Sequence, residues 1–159
     1  MPQDIWDERT GLGVLQASIA GDLPAPPIHQ LTGLALTSAT DGEVAFELPG
    51  SPWLCAPPRG RDQGGAVAML AEAAVSGAIQ TRLPAATALA SIDLKVNFLR
   101  PFAADGREAV ARGAVVQVGR RIAVANARVL DADSKAIAVA TGSAMLLPGR
   151  PASLGAVES

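Results

Sequence analysis

From Gly64 to Ile79 the chain is almost unbroken in its apolar character, and most of the residues are small. Ala66, Ala68, Ala71, Ala73, Ala74, Gly77 and Ala78 stand among Val67, Leu70, Val75 and Ile79. A run of this length closed by Leu83-Pro84 predicts a helix over about 62–81, with Asp62 as its N-cap candidate. Beyond it the period drops to two. Ile92, Leu94, Val96 and Phe98 alternate with Ser91, Asp93, Lys95 and Asn97, the pattern of a half-buried strand. Three more strand-like runs, 107–118, 121–131 and 135–147, are separated by Val118-Gly119-Arg120 and Asp131-Ala132-Asp133-Ser134, turns short enough to make antiparallel neighbours. Upstream, Ile5, Trp6, Leu12, Leu15 and Ile19 predict a short amphipathic helix over 4–20, weakened by Gly11 and Gly13. The Leu23-Pro24-Ala25-Pro26-Pro27 stretch is a connector. Two strands are expected at 30–40 and 43–49 around a Thr40-Asp41-Gly42 hairpin turn, and an irregular loop over 54–62.

The order is therefore helix, two strands, long helix, four strands: an α+β domain in which six antiparallel strands have one large helix to cover their apolar face. The small residues at 123, 125 and 127, and at 136, 138, 140, 142 and 144, give two strands a smooth face. Such a face lets the helix lie very near a curling sheet, the preferred reading, or marks a subunit interface, and the two are compatible. Residues 1–29 read as an N-terminal helix and connector, 30–147 as the folded domain, and 148–159 as a disordered tail.

Composition narrows the function classes. The 159 residues are 49% hydrophobic and 18% charged with a net charge of −2, and there is no basic patch, which argues against a nucleic-acid partner. The single cysteine, Cys55, excludes an internal disulfide. The acidic start shows no signal-peptide core, and the longest apolar run is short for a membrane span. A cytoplasmic location is expected.

Candidate chemistry begins with Glu72, the one ionisable side chain between Gln63 and Gln80. Its neighbours three and four residues away are Ala68, Met69, Val75 and Ser76, so no ordinary solvent-facing polar stripe surrounds it. A carboxylate placed in or beside a core is a candidate base or nucleophile. It is equally a candidate structural partner for an arginine. Gln63-Gly64-Gly65 stands where the helix begins, where exposed backbone N–H groups and the helix dipole suit a developing oxyanion. A glycine pair there also serves plain turn geometry. Cys55 lacks a nearby histidine and reads as an inert thiol. The sole His29 lies in the proline-rich connector, away from any expected site. One His and one Cys leave no metal set.

The segment QGGAVAMLAE, a Gly-Gly pair followed after six residues by an acid, resembles the signature of hotdog-fold acyl-CoA thioesterases, of the phenylacetic-acid-degradation type related to 4-hydroxybenzoyl-CoA thioesterases. IDLKVNFLRP, VGRRIAVANARVLDADSKAIAVATG and TGLALTSATDGEVAFELP extend the resemblance over about residues 30–147. It implies a hotdog fold, a six-stranded antiparallel sheet wrapped around one long helix. By the same resemblance Glu72 is the catalytic carboxylate, and Gly64 N–H, helped by Gly65, polarises the thioester carbonyl. Gln63 takes the place of a usual His, Ser76 matches a position that holds the hydrolytic water, and Arg120 and Arg121 lie near the nucleotide of coenzyme A. It further implies a homodimer or homotetramer, with coenzyme A as part of the substrate and no separate cofactor. Pro57 departs from the pattern, standing where the family carries Asn or Gln. That departure motivates an alternative, a non-catalytic module that binds acyl-CoA. A dehydratase ranks third, because it needs a histidine that His29 is not placed to supply.

Overall fold

The structure, a computed structural model, describes residues 8–55 and 63–149. Pro57, Arg59, Arg61, the N-cap candidate Asp62, the expected helix start at 4–7 and the tail from 150 lie outside these. The elements are α1 (Gly11–Ala20), α2 (Pro27–Thr32), β1 (Ala35–Thr40), β2 (Glu43–Pro49), α3 (Gly64–Gln80), β3 (Thr87–Phe98), β4 (Glu108–Val118), β5 (Ile122–Leu130) and β6 (Ala136–Pro148). The six strands form one antiparallel sheet in the order β1-β2-β4-β5-β6-β3, with α3 against its inner face. This is the hotdog arrangement the sequence leads one to expect.

The small residues set how near the helix comes. Ala71, Ala74 and Ala78 on α3 are fully buried against Ala109, Ala111, Ala123, Ala125 and Ala138 of the sheet. At Gly113 the approach is closest: a methyl placed there would lie 2.0 Å from the carbonyl oxygen of Ala74. Only a residue without a side chain lets backbone meet backbone in this way. The smooth strand faces therefore serve packing within the chain. Breaks in register at Leu36/Ser38, Ser91/Asp93, Val115/Gln117 and Val129/Leu130 add the local twist with which a sheet curls.

The end of α3 is tied to the first hairpin. Thr81, buried, accepts the Gly42 N–H at 2.8 Å and donates to the Ala78 carbonyl at 2.7 Å. Arg82 forks onto both carboxylate oxygens of Asp41 at 3.0 Å. On the same end sits α1. Its Gly11 N–H donates to the Leu83 carbonyl at 2.9 Å, and a methyl at Gly11 would fall 1.9 Å from the Gln80 carbonyl oxygen. The glycine that weakens α1 as an isolated helix is thus the one that lets it touch α3.

Two expectations are corrected. Residues 30–32 are not strand but the end of α2; β1 begins at Ala35. Pro27 at the start of that helix supplies a fixed φ suited to a first turn, and this outweighs the strand-like Ile28, Leu31 and Thr32. In β3 the alternation does not run unbroken through Ser91. The bulge between Ser91 and Asp93 inserts Ile92, so Ser91 pairs with inward Ala144 while Asp93 pairs with Ser143.

Candidate active site

Glu72, Ser76 and Gln80 repeat at four-residue spacing, so they form one stripe along α3, half-buried throughout. With Met69, Ala73 and Gly77 the stripe floors a cavity of about 270 Å³. The opposite walls come from α1, the proline connector, α2, β1 and β2, among them Leu15, Leu23, His29, Leu36 and Phe46. The bulge in β3 completes the arrangement at the carboxylate. Glu72 Oε1 accepts from Ser76 Oγ and from Ser91 Oγ, both at 2.7 Å, and the two hydroxyls stand 3.3 Å apart. Glu72 Oε2 has no hydrogen-bond partner among the described residues. Two neutral donors on one oxygen fix the carboxylate's rotamer and leave the second oxygen open to chemistry. Neither an arginine nor a lysine pairs with Glu72 among the described residues, so it is not a structural ion pair there.

The glycines stand elsewhere. Gln63, exposed, precedes α3 without a side-chain cap, and neither Gly64 N–H nor Gly65 N–H meets an acceptor among the described residues. Gly64 borders a second, open cavity of about 340 Å³ with Val67, Phe98, Leu99, Arg100 and Phe102. The Phe98 ring lies 3.3 Å from where a Gly64 methyl would be. Eight residues separate Gly64 from Glu72, about 12 Å along the helix axis. Within one chain, then, Ser76 is brought to Glu72 while Gln63, Gly64 and Gly65 are not.

Arg120 and Arg121 are exposed at the β4–β5 turn, without side-chain partners among the described residues. Ala123 is opposite Ala144, which is opposite Ser91, so Arg121 is two residues beyond the rung that carries Ser91. Two site residues escape the sequence reading. Ser91 is grouped with the outward positions because a bulge resets strand parity without any mark in composition. His29 is set aside as part of a connector, yet it lines the same cavity as Glu72, with its ring edge-on to Phe46 at a 6.0 Å centroid distance. Burial holds its imidazole below the usual histidine range and so keeps it neutral. Cys55 is half-buried; its thiol donates to the Ser51 carbonyl at 3.6 Å.

Comparison with known proteins bears on the fold and the family. The family model for the thioesterase superfamily matches residues 64–138. A Halobacterium salinarum protein that carries an esterase name is 34% identical over 121 residues, covering 70% of this chain and 78% of its own. The chain belongs to the thioesterase superfamily. Among solved structures similar to this thioesterase-superfamily chain is a thioesterase family protein from Silicibacter pomeroyi. It has a TM-score of 0.74 and 25% identity, over 85% of this chain and 99% of that one. A mutant form of the phenylacetic acid degradation protein PaaI from Thermus thermophilus has a TM-score of 0.68 and 25% identity, over 76% and 98%. Membership of the superfamily supports hydrolysis of an ester or thioester as the chemistry. No helix among the described residues is long and apolar enough to cross a membrane.

Proposed function

We propose that the chain hydrolyses an acyl-CoA thioester, with Glu72 as general base or nucleophile. The observation that carries this reading is a carboxylate braced through one oxygen by Ser76 and Ser91 at an apolar cavity, with its other oxygen unclaimed. As base, Glu72 takes a proton from water while the water oxygen attacks the thioester carbon. The tetrahedral oxyanion then collapses, the C–S bond breaks, and coenzyme A leaves as the thiol once protonated. Ser76 and Ser91 keep the carboxylate aimed.

The oxyanion needs donors about 3 Å away. The chain's own Gly64 is about 12 Å from Glu72 along the helix, so Gly64 N–H, with Gly65 N–H and the Gln63 amide beside it, serves the site of a second copy. The β3 edge supports this. It lies at the margin of the sheet, it is largely exposed, and Ile92 and Phe98 stand on it about half uncovered. Antiparallel pairing of β3 with β3 of another copy sets the Phe98–Gly64 end of one chain beside the Ser91–Glu72 end of the other. The assembly is thus a homodimer, or a tetramer of two such pairs. Arg120 and Arg121, guanidinium groups at an exposed turn without side-chain partners among the described residues, suit the phosphates of coenzyme A.

Replacing Glu72 with Gln keeps shape and the serine contacts but removes the base. Thiol release from an acyl-CoA panel should fall at least about a thousand-fold with an unchanged unfolding curve. Undiminished release by Glu72→Gln would reject the assignment.

A further inference from the structure

The cavity beside Glu72 has a far wall that the proposed chemistry does not use, and its one titratable group is His29. Phe46, which meets the imidazole at an interplanar angle of 88°, also packs over Gly77, where an added methyl would lie 2.8 Å from its ring. Gly77 is five residues past Glu72, about 7.5 Å along the helix. The imidazole therefore stands beyond Phe46, toward the C-terminal end of α3. Its ring nitrogens have no hydrogen-bond partner among the described residues. The wall around it is mostly apolar, including Leu23, Ile28, Leu34 and Leu36. The cavity's other polar groups besides Glu72 and Ser76 are Ser18 and Gln80, whose buried Nε2 also lacks a partner among the described residues.

In the neutral ring one nitrogen donates and the other accepts. Water can satisfy both while the cavity is empty. A purely hydrocarbon acyl group that fills the cavity expels that water and strands them, which costs more than a made hydrogen bond contributes. An acyl group with an oxygen at that point restores the pairing. A far-end carboxylate fits poorly, because no cation lines the cavity among the described residues and Glu72 already supplies an acid there. Size bounds the rest. A cavity of about 150 Å³ accepts benzene, so 270 Å³ corresponds in proportion to about ten carbons, well short of a long fatty chain.

We infer that His29 is a specificity-determining residue, selecting an apolar acyl group of that size whose far end carries an uncharged oxygen, as a hydroxyl or oxo group. This rests on the thioesterase reading for the reacting end of the substrate. His29 precedes the segment matched by the family model, residues 64–138.

The test compares ω-hydroxyacyl-CoA with the acyl-CoA bearing methyl in place of the hydroxyl, over chains of about four to ten carbons, in the full-length protein. At the best length kcat/KM should favour the hydroxyl by about ten-fold. His29→Phe should bring the ratio to within about two-fold, and His29→Gln should retain part of the preference. His29→Leu replaces His29→Phe if the latter misfolds. A ratio near one at every length in the parent protein, or a preference that survives loss of the imidazole, overturns the inference. If the parent cleaves neither thioester, the thioesterase reading is what fails. Calorimetric binding of the same pairs to the parent and to His29→Phe then decides the role of His29 by the same ratio.

Discussion

The contact at Gly113 can be turned into a number. Substituting alanine places a methyl 2.0 Å from the Ala74 carbonyl oxygen, 2.6 Å from its carbon and 3.2 Å from its Cα, all backbone. Carbon contacts under 3.0 Å essentially never occur, so α3 and β4 must part by at least 1.0 Å, the difference between 3.0 and 2.0. No flexible side chain is available to yield. A gap of about 0.5–1 Å forfeits a quarter to a half of each dispersion contact it opens, and α3 packs on this face through fully buried Ala71, Ala74 and Ala78. Overpacking of this kind costs about 1–3 kcal/mol, and a backbone-to-backbone clash belongs at the upper end. Alanine in a strand recovers about 0.5–1 kcal/mol relative to glycine. The clash wins, with a net loss of about 2–2.5 kcal/mol, a fall in Tm of about 4–10 °C for a chain of this length. Thermal unfolding followed by circular dichroism, with a urea midpoint alongside, measures it. Gly65→Ala is the control, since its methyl meets nothing nearer than Gln63 Cδ at 3.9 Å. A Gly113→Ala protein that melts within about 2 °C of the parent would refute the closeness of helix and sheet.

Other outcomes follow from the site. Ser91→Ala removes one of two donors to Glu72 Oε1; at about 1.5 kcal/mol for a bond to a charged acceptor in an open setting, kcat should drop about ten-fold with little change in KM. An unaltered kcat would remove Ser91 from the machinery. Sedimentation at assay concentration should show a dimer or larger species, and a fully active monomer would contradict the shared site. For His29 the sign is fixed by burial. Its folded pKa lies below the ordinary 6.5, so the unfolded chain binds the proton first as pH falls. Its stabilising contribution is complete above 6.5 and diminishes as pH drops through that value toward the folded one. The parent should therefore lose stability more steeply than His29→Phe just below 6.5, and parallel urea-midpoint profiles would disprove the burial.

How much of this was legible in the sequence differs by residue. The long helix declares itself, because seventeen residues without a breaker and with small side chains have few other uses, and the turns at Gly42 and Gly119 punctuate the strands plainly. The isolation of Glu72 could also be read directly. Its partner Ser91 could not, because the bulge that turns it inward depends on which residues of β6 it pairs with, and pairing is tertiary. The same holds for α2: in isolation Ile28, Leu31 and Thr32 favour strand, and a proline start with a wall to build decides otherwise. His29 becomes a cavity residue only when two short helices fold back over α3, an arrangement no local pattern encodes. The spacing of Gly64 and Glu72, about 12 Å along one helix, follows from the sequence once the helix is read, but the exposed edge strand beside Gly64 appears only in the fold.

The cavity's walls have one further consequence. On the proposed reading the bond-breaking carboxylate is supplied by α3 and braced by β3, whereas the cavity surfaces opposite it, which would face the acyl chain, come largely from residues 14–46. Appetite and reactivity thus occupy separate stretches of the gene. Substitutions in the leading codons can retune which acids are released while the hydroxyl–carboxylate triangle is inherited untouched, and grafting that leading stretch between relatives becomes a direct route to new selectivity.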